Sequence, residues 1–370
     1  MNEIKLPSED ELKELPKDGG DLYNRLVFEK SSYLKSHAHQ KINWYSWGQD
    51  AFDLAKITDK PLFLSIGYAA CHWCHVMSDR TFDLDDIAAL LNTHFVAIKI
   101  DRDELPDIDQ IYMSATQLLN HHGGWPNSVF CLPTGQPFYA GTYFPPDDHD
   151  NGPGFRTLLS QLAESWGNNR SEIELQAQEL EQVIKKMNHF EKDSFGSMQF
   201  KTNYNLMKGS IQQRFDNLNG GFGGAPKFPP FSTIRLLLQD INDNDLDMAL
   251  FTLDQMALGG IYDQVNGGFH RYSTDSEWHC PHFEKMLTDN AQMIELYSLA
   301  YAKKPTKLYK KIVGETIQHL LDDWCKDGVF IHSIDADSEG VEGLYYTYTY
   351  DELANIFKEN DFDYDFGEFC

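Results

Sequence analysis

The sequence predicts an α/β domain followed by an all-α domain of helical hairpins. Three observations predict it: two short buried-strand runs flanking a helical pattern that starts at Cys71 and Cys74, a hairpin preceded by Pro126, and a second half whose apolar residues recur at helical spacing. At 370 residues, 41% hydrophobic and 13% aromatic, the chain has material for more than one core. A polar extension is expected over residues 1–23, the α/β domain over 24–190 and the helical one over 191–370.

The N-terminal elements follow in order. Trp47, Ala51 and Ala55 stand at i, i+4 and i+8 and predict a helix. Pro61 then opens the run Leu62 to Gly67, and a second run, Phe95 to Ile100, ends in Asp101; both read as buried parallel strands. Between them a helix is expected from about Cys71 to Asn92, with Ile87, Leu90 and Leu91 on one face, long enough for a crossover. After Pro106, Ile108, Ile111, Tyr112 and Ala115 mark another amphipathic helix, which stops at His121-His122-Gly123-Gly124. Strands Ser128 to Leu132 and Phe138 to Phe144 pair through the turn Pro133 to Gln136, and a closing helix carries Phe155, Leu158, Leu159, Leu162 and Trp166.

That order, β-α-β-α-β-β-α with two cysteines between the first strand and its helix, is the thioredoxin arrangement. The free amides and positive dipole end at a helix N-terminus lower a cysteine pKa, and a second cysteine one turn later is placed to attack a mixed disulfide. Cys71 is therefore the expected nucleophile and Cys74 the resolving thiol. A cationic His72 inside the loop would push the pair toward a more oxidising potential. Trp73, His75 and Trp125 are expected around the pair, and Pro126 is expected to be cis, as the residue before a strand beside such a dithiol.

Composition narrows the setting. A formal charge of -26 and a pI near 4.8 oppose duplex nucleic acid or an anionic membrane as partner, whose phosphates call for cations. No apolar run approaches the roughly 20 residues of a spanning helix. The first 20 residues lack the basic start and apolar stretch of a secretion signal, so a cytoplasmic protein is expected. There, a close cysteine pair is catalytic or metal-binding, not part of a scaffold. Cys71-His72-Trp73-Cys74-His75 also spells a c-type haem attachment signature, which calls for export. A zinc site is a further rival, but adjacent Cys and His residues cannot all turn to one tetrahedral ion; an inert buried pair is the remaining one. No cofactor or metal is expected.

In the second half, Ile234, Leu237, Leu238 and Ile241, then Leu246, Ala249, Leu250 and Leu253, follow helical spacing, as do Met286 to Tyr301 and Leu308 to Trp324. An internal echo links two loops: Gly220-Gly221-Phe222 precedes Pro226-Lys227-Phe228 as Gly267-Gly268-Phe269 precedes Pro281-His282-Phe283. The glycines suit turns with positive φ, and the aromatic after them is placed to pack over a cavity mouth. Polar groups gather nearby at Asp263, His270, Arg271, Glu277, Trp278, His282, Glu284, Asp289 and Asn290. Two carboxylates there suit divided acid and base roles. The plainer reading puts Glu284 in a first helical turn after Pro281 and leaves Asp289 and Asn290 to satisfy backbone. Asp335 to Gly340 is an acidic turn with oxygen ligands of the kind that hold a divalent cation. Cys131, Cys280 and Cys325, each alone, suit buried small hydrophobes, and Cys370 is the last residue.

The segments Asn24-Arg25-Leu26, Asn43-Trp44-Tyr45-Ser46-Trp47, Lys60-Pro61-Leu62-Phe63-Leu64-Ser65-Ile66-Gly67 and Cys71-His72-Trp73-Cys74-His75-Val76-Met77 closely resemble the spermatogenesis-associated thioredoxin-domain family. So do Gly220 to Phe228 and Pro281 to Leu287, with departures at Cys280 and Thr288. The resemblance implies a thioredoxin-like domain followed by an (α/α) toroid of the six-hairpin glycosidase-like type. With about five helices expected after residue 200, the chain would end inside that toroid, at Tyr364 to Cys370.

The function expected is thiol-disulfide exchange on a protein or small-molecule disulfide, supplied by an unidentified electron donor and fused to a toroid that binds a saccharide or a protein client. A non-catalytic redox sensor or scaffold, and carbohydrate processing by the toroid, are the other two readings.

Overall fold

The computed structural model describes residues 6–150, 152–188, 197–239 and 243–359. The chain divides into two compact units, Met1–Asp193 and Ser194–Cys370.

In the first unit, α1 (Glu9–Glu14), opened by a Ser8/Glu11 capping box, and α2 (Ser32–Ser36) precede α3 (Gln49–Thr58). There follow β1 (Leu62–Gly67), α4 (His72–Met77), a π turn at Ser78–Phe82, α5 (Asp85–His94) and β2 (Val96–Asp101). Then come α6 (Pro106–Asn120), β3 (Asn127–Cys131), β4 (Pro137–Gly141), α7 (Phe155–Asn168) and α8 (Arg170–Asn188). The sheet order is β2-β1-β3-β4, with β1 parallel to β2 and antiparallel to β3, so the expected thioredoxin-like order is present. Alternation along β1 sends Leu62, Leu64 and Ile66 into the core beneath α6, and Phe63 into the core that holds Cys71 and Cys74. That second core is aromatic, with Trp44, Phe63, Phe82, Phe130 and Phe155 all buried. Truncating one such side chain costs about 3–5 kcal/mol, so the floor beneath the dithiol tolerates little change in volume. Leu12 and Leu15, from the expected polar extension, pack against it.

The single helix expected over 71–92 is in fact two. The π turn closes at Asp83, whose amide donates to Ser78 O, and Leu84 is extended. Asp85 and Asp86 then open a fresh helix, where acids complement the amide end. Periodicity located α5 but held no sign of the break. β4 ends at Gly141, short of the expected Phe144, because that ring folds back to within 2.3 Å of where a Gly141 Cβ would stand. α8 was not anticipated as an element, although Ile173, Ala177, Leu180 and Ile184 keep one buried face.

The second unit holds α9 (Ser197–Arg214), α10 (Phe231–Gln239), α11 (Asp243–Leu258), α12 (Leu287–Lys303), α13 (Lys307–His319), a π turn at Leu320–Trp324 and α14 (Tyr350–Glu359). α10 packs on α11 and α12, and α12 on α13, around Ile234, Leu237, Leu253, Met293, Leu296, Tyr297 and Ile312. Unforeseen two-residue strands stitch the loops: β5 (Tyr272–Ser273) with β6 (Pro281–His282), β7 (Lys285–Met286) with β10 (Ser333–Ile334), β8 (Cys325–Lys326) with β9 (Val329–Phe330), and β11 (Asp337–Ser338) with β12 (Val341–Glu342). The expected helical positions Ile241 and Tyr364 to Cys370 lie outside the described residues. Among the described residues no helix is long and apolar enough to cross a membrane.

Candidate active site around Cys71 and Cys74

The chain leaves β1 at Gly67, turns through Tyr68, Ala69 and Ala70, and enters α4 with Cys71 as its N-cap. Cys71 and Cys74 form a disulfide, with Cα atoms 5.2 Å apart. Cys71 Sγ accepts the Cys74 amide at 3.2 Å, and the Cys71 carbonyl accepts the amides of Cys74 and His75. A thiolate at Cys71 would inherit that donor, a stabilisation the spacing of the two cysteines supplies by itself. Both cysteines are nearly buried, whereas Trp73 between them is 48% exposed.

His72 and Tyr143 flank Trp73, with ring centroids 5.5 and 5.1 Å away, and His75 Nε2 lies 2.7 Å from the Ala69 carbonyl. The Trp125-Pro126 bond is cis, as expected, and the pairing of Ile66 with Asn127 brings it to the end of β1 where the cysteine loop begins. Trp125 Nε1 donates to Asp109 Oδ1, Arg102 Nε donates to Asp109 Oδ2, and the Arg102 guanidinium lies 4.2 Å over the Trp125 ring. Burial pushes the Asp109 carboxyl up, against the pull of Trp125 and Arg102.

Beneath the pair stand residues that motif reading missed. A Cβ at Gly67 would lie 2.7 Å from Cys74 Sγ, so glycine is required there by the close approach of the sulfur. Ser65 pairs with Lys99 across β1 and β2, and its hydroxyl accepts from the buried Lys99 Nζ at 3.1 Å. Burial lowers the Lys99 pKa well below the usual lysine value. A lysine inside the otherwise apolar run from Phe95 to Ile100 was the visible signal. Tyr33 carried none, since it lies in α2, a five-residue helix too short to show a periodicity.

The expected second cluster is gathered only in part. Arg271 Nη1 donates to both Glu284 oxygens at 3.2 and 3.0 Å, and His282 Nε2 lies 3.6 Å from the same carboxylate. His282 Nδ1 is 2.6 Å from Glu342 Oε1, and its ring stacks on Tyr272. His270 is buried with Nδ1 3.0 Å from the Phe283 carbonyl, and burial lowers its pKa to about 3. Glu284 is not in a first helical turn: it joins β6 to β7, and α12 starts at Leu287. Glu277 is exposed, with its amide donating to Asp275, and Asp289 lies half-buried in the first turn of α12. Trp278 is fully buried, with Nε1 donating to the Asn219 carbonyl. Asn290 is spent on the backbone of Phe269 and Met286.

The echo between the two glycine loops is structural, and its true partner is Lys285. Asp216 Oδ1 accepts the amides of Leu218 and Asn219 while Lys227 Nζ donates to its other oxygen; Asp263 does the same with Val265, Asn266 and Lys285. The match drawn between Pro226-Lys227-Phe228 and Pro281-His282-Phe283 is thus displaced, because the lysine that latches the second loop comes later. All four glycines have positive φ as expected, but Phe269 packs inside against Tyr262 and Tyr297 and covers no cavity mouth. Asp335 to Gly340 forms the β11–β12 turn, and among the described residues no group of three or more His, Cys, Asp or Glu side chains is placed to hold a metal. Of the single cysteines, Cys131 is buried, Cys280 is exposed and Cys325 intermediate, against the expectation for the last two; Cys370 lies outside the described residues.

Residues 23–185 match a thioredoxin-DsbH family model described as a protein of unknown function, DUF255. The chain is 39% identical over 355 residues, 91% of its length, to spermatogenesis-associated protein 20 of Homo sapiens. It is 40% identical over 350 residues to an uncharacterized protein of Caenorhabditis elegans. It covers 45% and 48% of those relatives, so it spans about half the length of the curated proteins it matches. Among solved structures, a sugar epimerase from a ruminal bacterium aligns with 34% of this chain and 36% of its own at TM-score 0.30 and 17% identity. A DsbH oxidoreductase aligns with 34% of this chain and 85% of its own at TM-score 0.26 and 16% identity.

Proposed function

The chain belongs to the spermatogenesis-associated thioredoxin-domain protein family, and on that premise we propose that it is a thiol-disulfide oxidoreductase acting through Cys71 and Cys74. The observation that carries this reading is the Cys71–Cys74 disulfide at the start of α4, beside the Trp125-Pro126 turn. In the reduced state the Cys71 thiolate attacks a client disulfide; a Cys71–client bond forms and one client sulfur leaves as thiolate. The Cys74 thiol yields its proton to that thiolate and attacks Cys71 Sγ. The Cys71–Cys74 bond closes, and the second client sulfur departs. The client gains two electrons, which a small-molecule thiol or a protein dithiol restores. This reading keeps the cytoplasmic location expected from the sequence.

The helical unit is read as part of an (α/α) toroid that binds a saccharide or a protein client. What favours a binding role is the His282, Glu284 and Glu342 cluster beside Tyr272, whose ring also stacks on Phe228.

Equilibration in graded glutathione buffers, with alkylation and mass spectrometry of Cys71 and Cys74, tests the exchange reading, with Cys74→Ser as control. A reversible disulfide with a potential between roughly -270 and -120 mV, plus repeated turnover of a model disulfide, supports an enzyme. Reversible oxidation with a single cycle and altered partner binding indicates a sensor, and failure to form the disulfide overturns both.

A further inference from the structure

Tyr33 is buried at the floor of the dithiol, and its hydroxyl has no hydrogen-bond partner. A buried, unsatisfied hydroxyl is costly, so its place calls for a reason. A Cβ at Gly67 would stand 2.2 Å from Tyr33 Oη and 2.7 Å from Cys74 Sγ, so hydroxyl and sulfur converge on one point over Gly67. With the disulfide closed, the sulfur is held toward Cys71 and the hydroxyl is left without an acceptor. Reduction frees the sulfur on the side where the hydroxyl waits.

We propose that Tyr33 is a positioning residue for the resolving step, donating a hydrogen bond to Cys74 Sγ in the reduced state and stabilising the thiolate that attacks Cys71. This rests on the exchange reading above and assigns the stabilising group for its second half. Burial, with the nearby Asp101 charge, holds the Tyr33 phenol protonated, so it acts as donor and not as base. The proton leaves Cys74 for the departing client thiolate, and Tyr33 keeps its own. The charged and titratable groups facing it are Lys99, with Nζ 5.2 Å over the ring, Asp101, and His37, with its ring 4.8 Å away. A neutral hydroxyl donor in a dry site is worth more than in water because no solvent competes for the sulfur.

The test uses the full chain with Cys71→Ser, which leaves Cys74 as the only thiol of the pair. Its thiolate fraction is followed against pH by alkylation and mass spectrometry, with and without Tyr33→Phe. The expected result is about ten-fold less thiolate at a given pH in Tyr33→Phe, a shift of about one pH unit. In the chain with both cysteines, at a pH above the Cys74 pKa, Tyr33→Phe should move the glutathione equilibrium about ten-fold toward the disulfide, because only the reduced thiolate loses a bond. Site-specific 3-fluorotyrosine at residue 33, a stronger donor of nearly the same shape, should move both readouts the opposite way and keeps the test open if Tyr33→Phe does not fold. Cys74 profiles that ignore both changes overturn the proposal. Absent turnover with a shifted Cys74 profile sinks the exchange reading and leaves the hydrogen bond standing.

Discussion

Lys285 Nζ stands 2.8 Å from Asp263 Oδ2, with the lysine wholly buried and the aspartate nearly so. The same ammonium donates to the Gly267 carbonyl, so one cation closes the loop that carries Gly267-Gly268-Phe269. Burial works to raise the Asp263 carboxyl; Lys285 and the amides of Asn266 and Val265 outweigh it and hold it below the usual carboxylate range. Lys285→Met should therefore cost about 3–5 kcal/mol, since it strands a buried carboxylate, while Lys285→Met with Asp263→Asn should recover part of that loss. Urea midpoints read by hydrogen exchange of α11 and α12 amides measure it, and equal costs for single and double variants would refute the latch.

Asp216 makes the equivalent latch with Lys227 at 2.7 Å and titrates differently from a free carboxylate. Burial opposes ionisation, but Lys227 and the amides of Asn219 and Leu218 lower its pKa to about 2. A folded value below the unfolded value of about 3.9 adds stability above about pH 4 that is lost as pH falls toward 2. Asp216→Asn should be less stable than the parent at pH 7, and the two stability curves should converge across that window. A gap that persists at pH 2 would place the contribution elsewhere.

These two latches also show what could be read in advance. The paired Gly-Gly-Phe triplets were legible because glycine advertises positive φ, but the lysines were not: one follows its triplet closely and the other arrives after the β5–β6 hairpin. Strand and helix periodicity around Leu62, Ile98 and Tyr112 was enough for the α/β unit and for Pro126 beside the cysteines. The break at Asp83 and Leu84 escaped because both sides of it remain helical in pattern. Tyr33 escaped because a contact with Gly67, 34 positions later, leaves no local spacing to find.

Lys99 is a buried amine whose neighbours are Ser65 Oγ and the faces of Tyr33, Trp44 and Phe82. Ring faces favour the charged form by about 2 kcal/mol when dry, yet burial prevails and lowers the pKa. A lysine whose folded value lies below its unfolded value destabilises the fold at neutral pH, and the penalty fades as pH rises toward about 10.4, where the unfolded chain also loses the proton. Lys99→Met should stabilise the first unit by about 1–4 kcal/mol at pH 7, and the gain should shrink in alkaline buffer. Thermal melts at pH 7 and pH 10 decide it; a destabilised variant at pH 7 would mean the amine is held by more than the rings.

Trp73 is the exposed aromatic beside the dithiol and is our proposed client contact. It is 48% exposed between two nearly buried cysteines, and Tyr143 and His72 hold its ring in place from either side. An exposed tryptophan adds little to folding, so Trp73→Ala should change stability by no more than about 0.5 kcal/mol. A client peptide lying across the ring would gain about 0.5–1.5 kcal/mol from aromatic contact. Trp73→Ala should accordingly lower kcat/KM up to about ten-fold for a peptide disulfide, while leaving a small disulfide such as hydroxyethyl disulfide unchanged. An equal fall for both substrates would mean that Trp73 shapes the Cys71 loop itself, and an unchanged peptide rate would move the client surface toward Trp125 and Arg102.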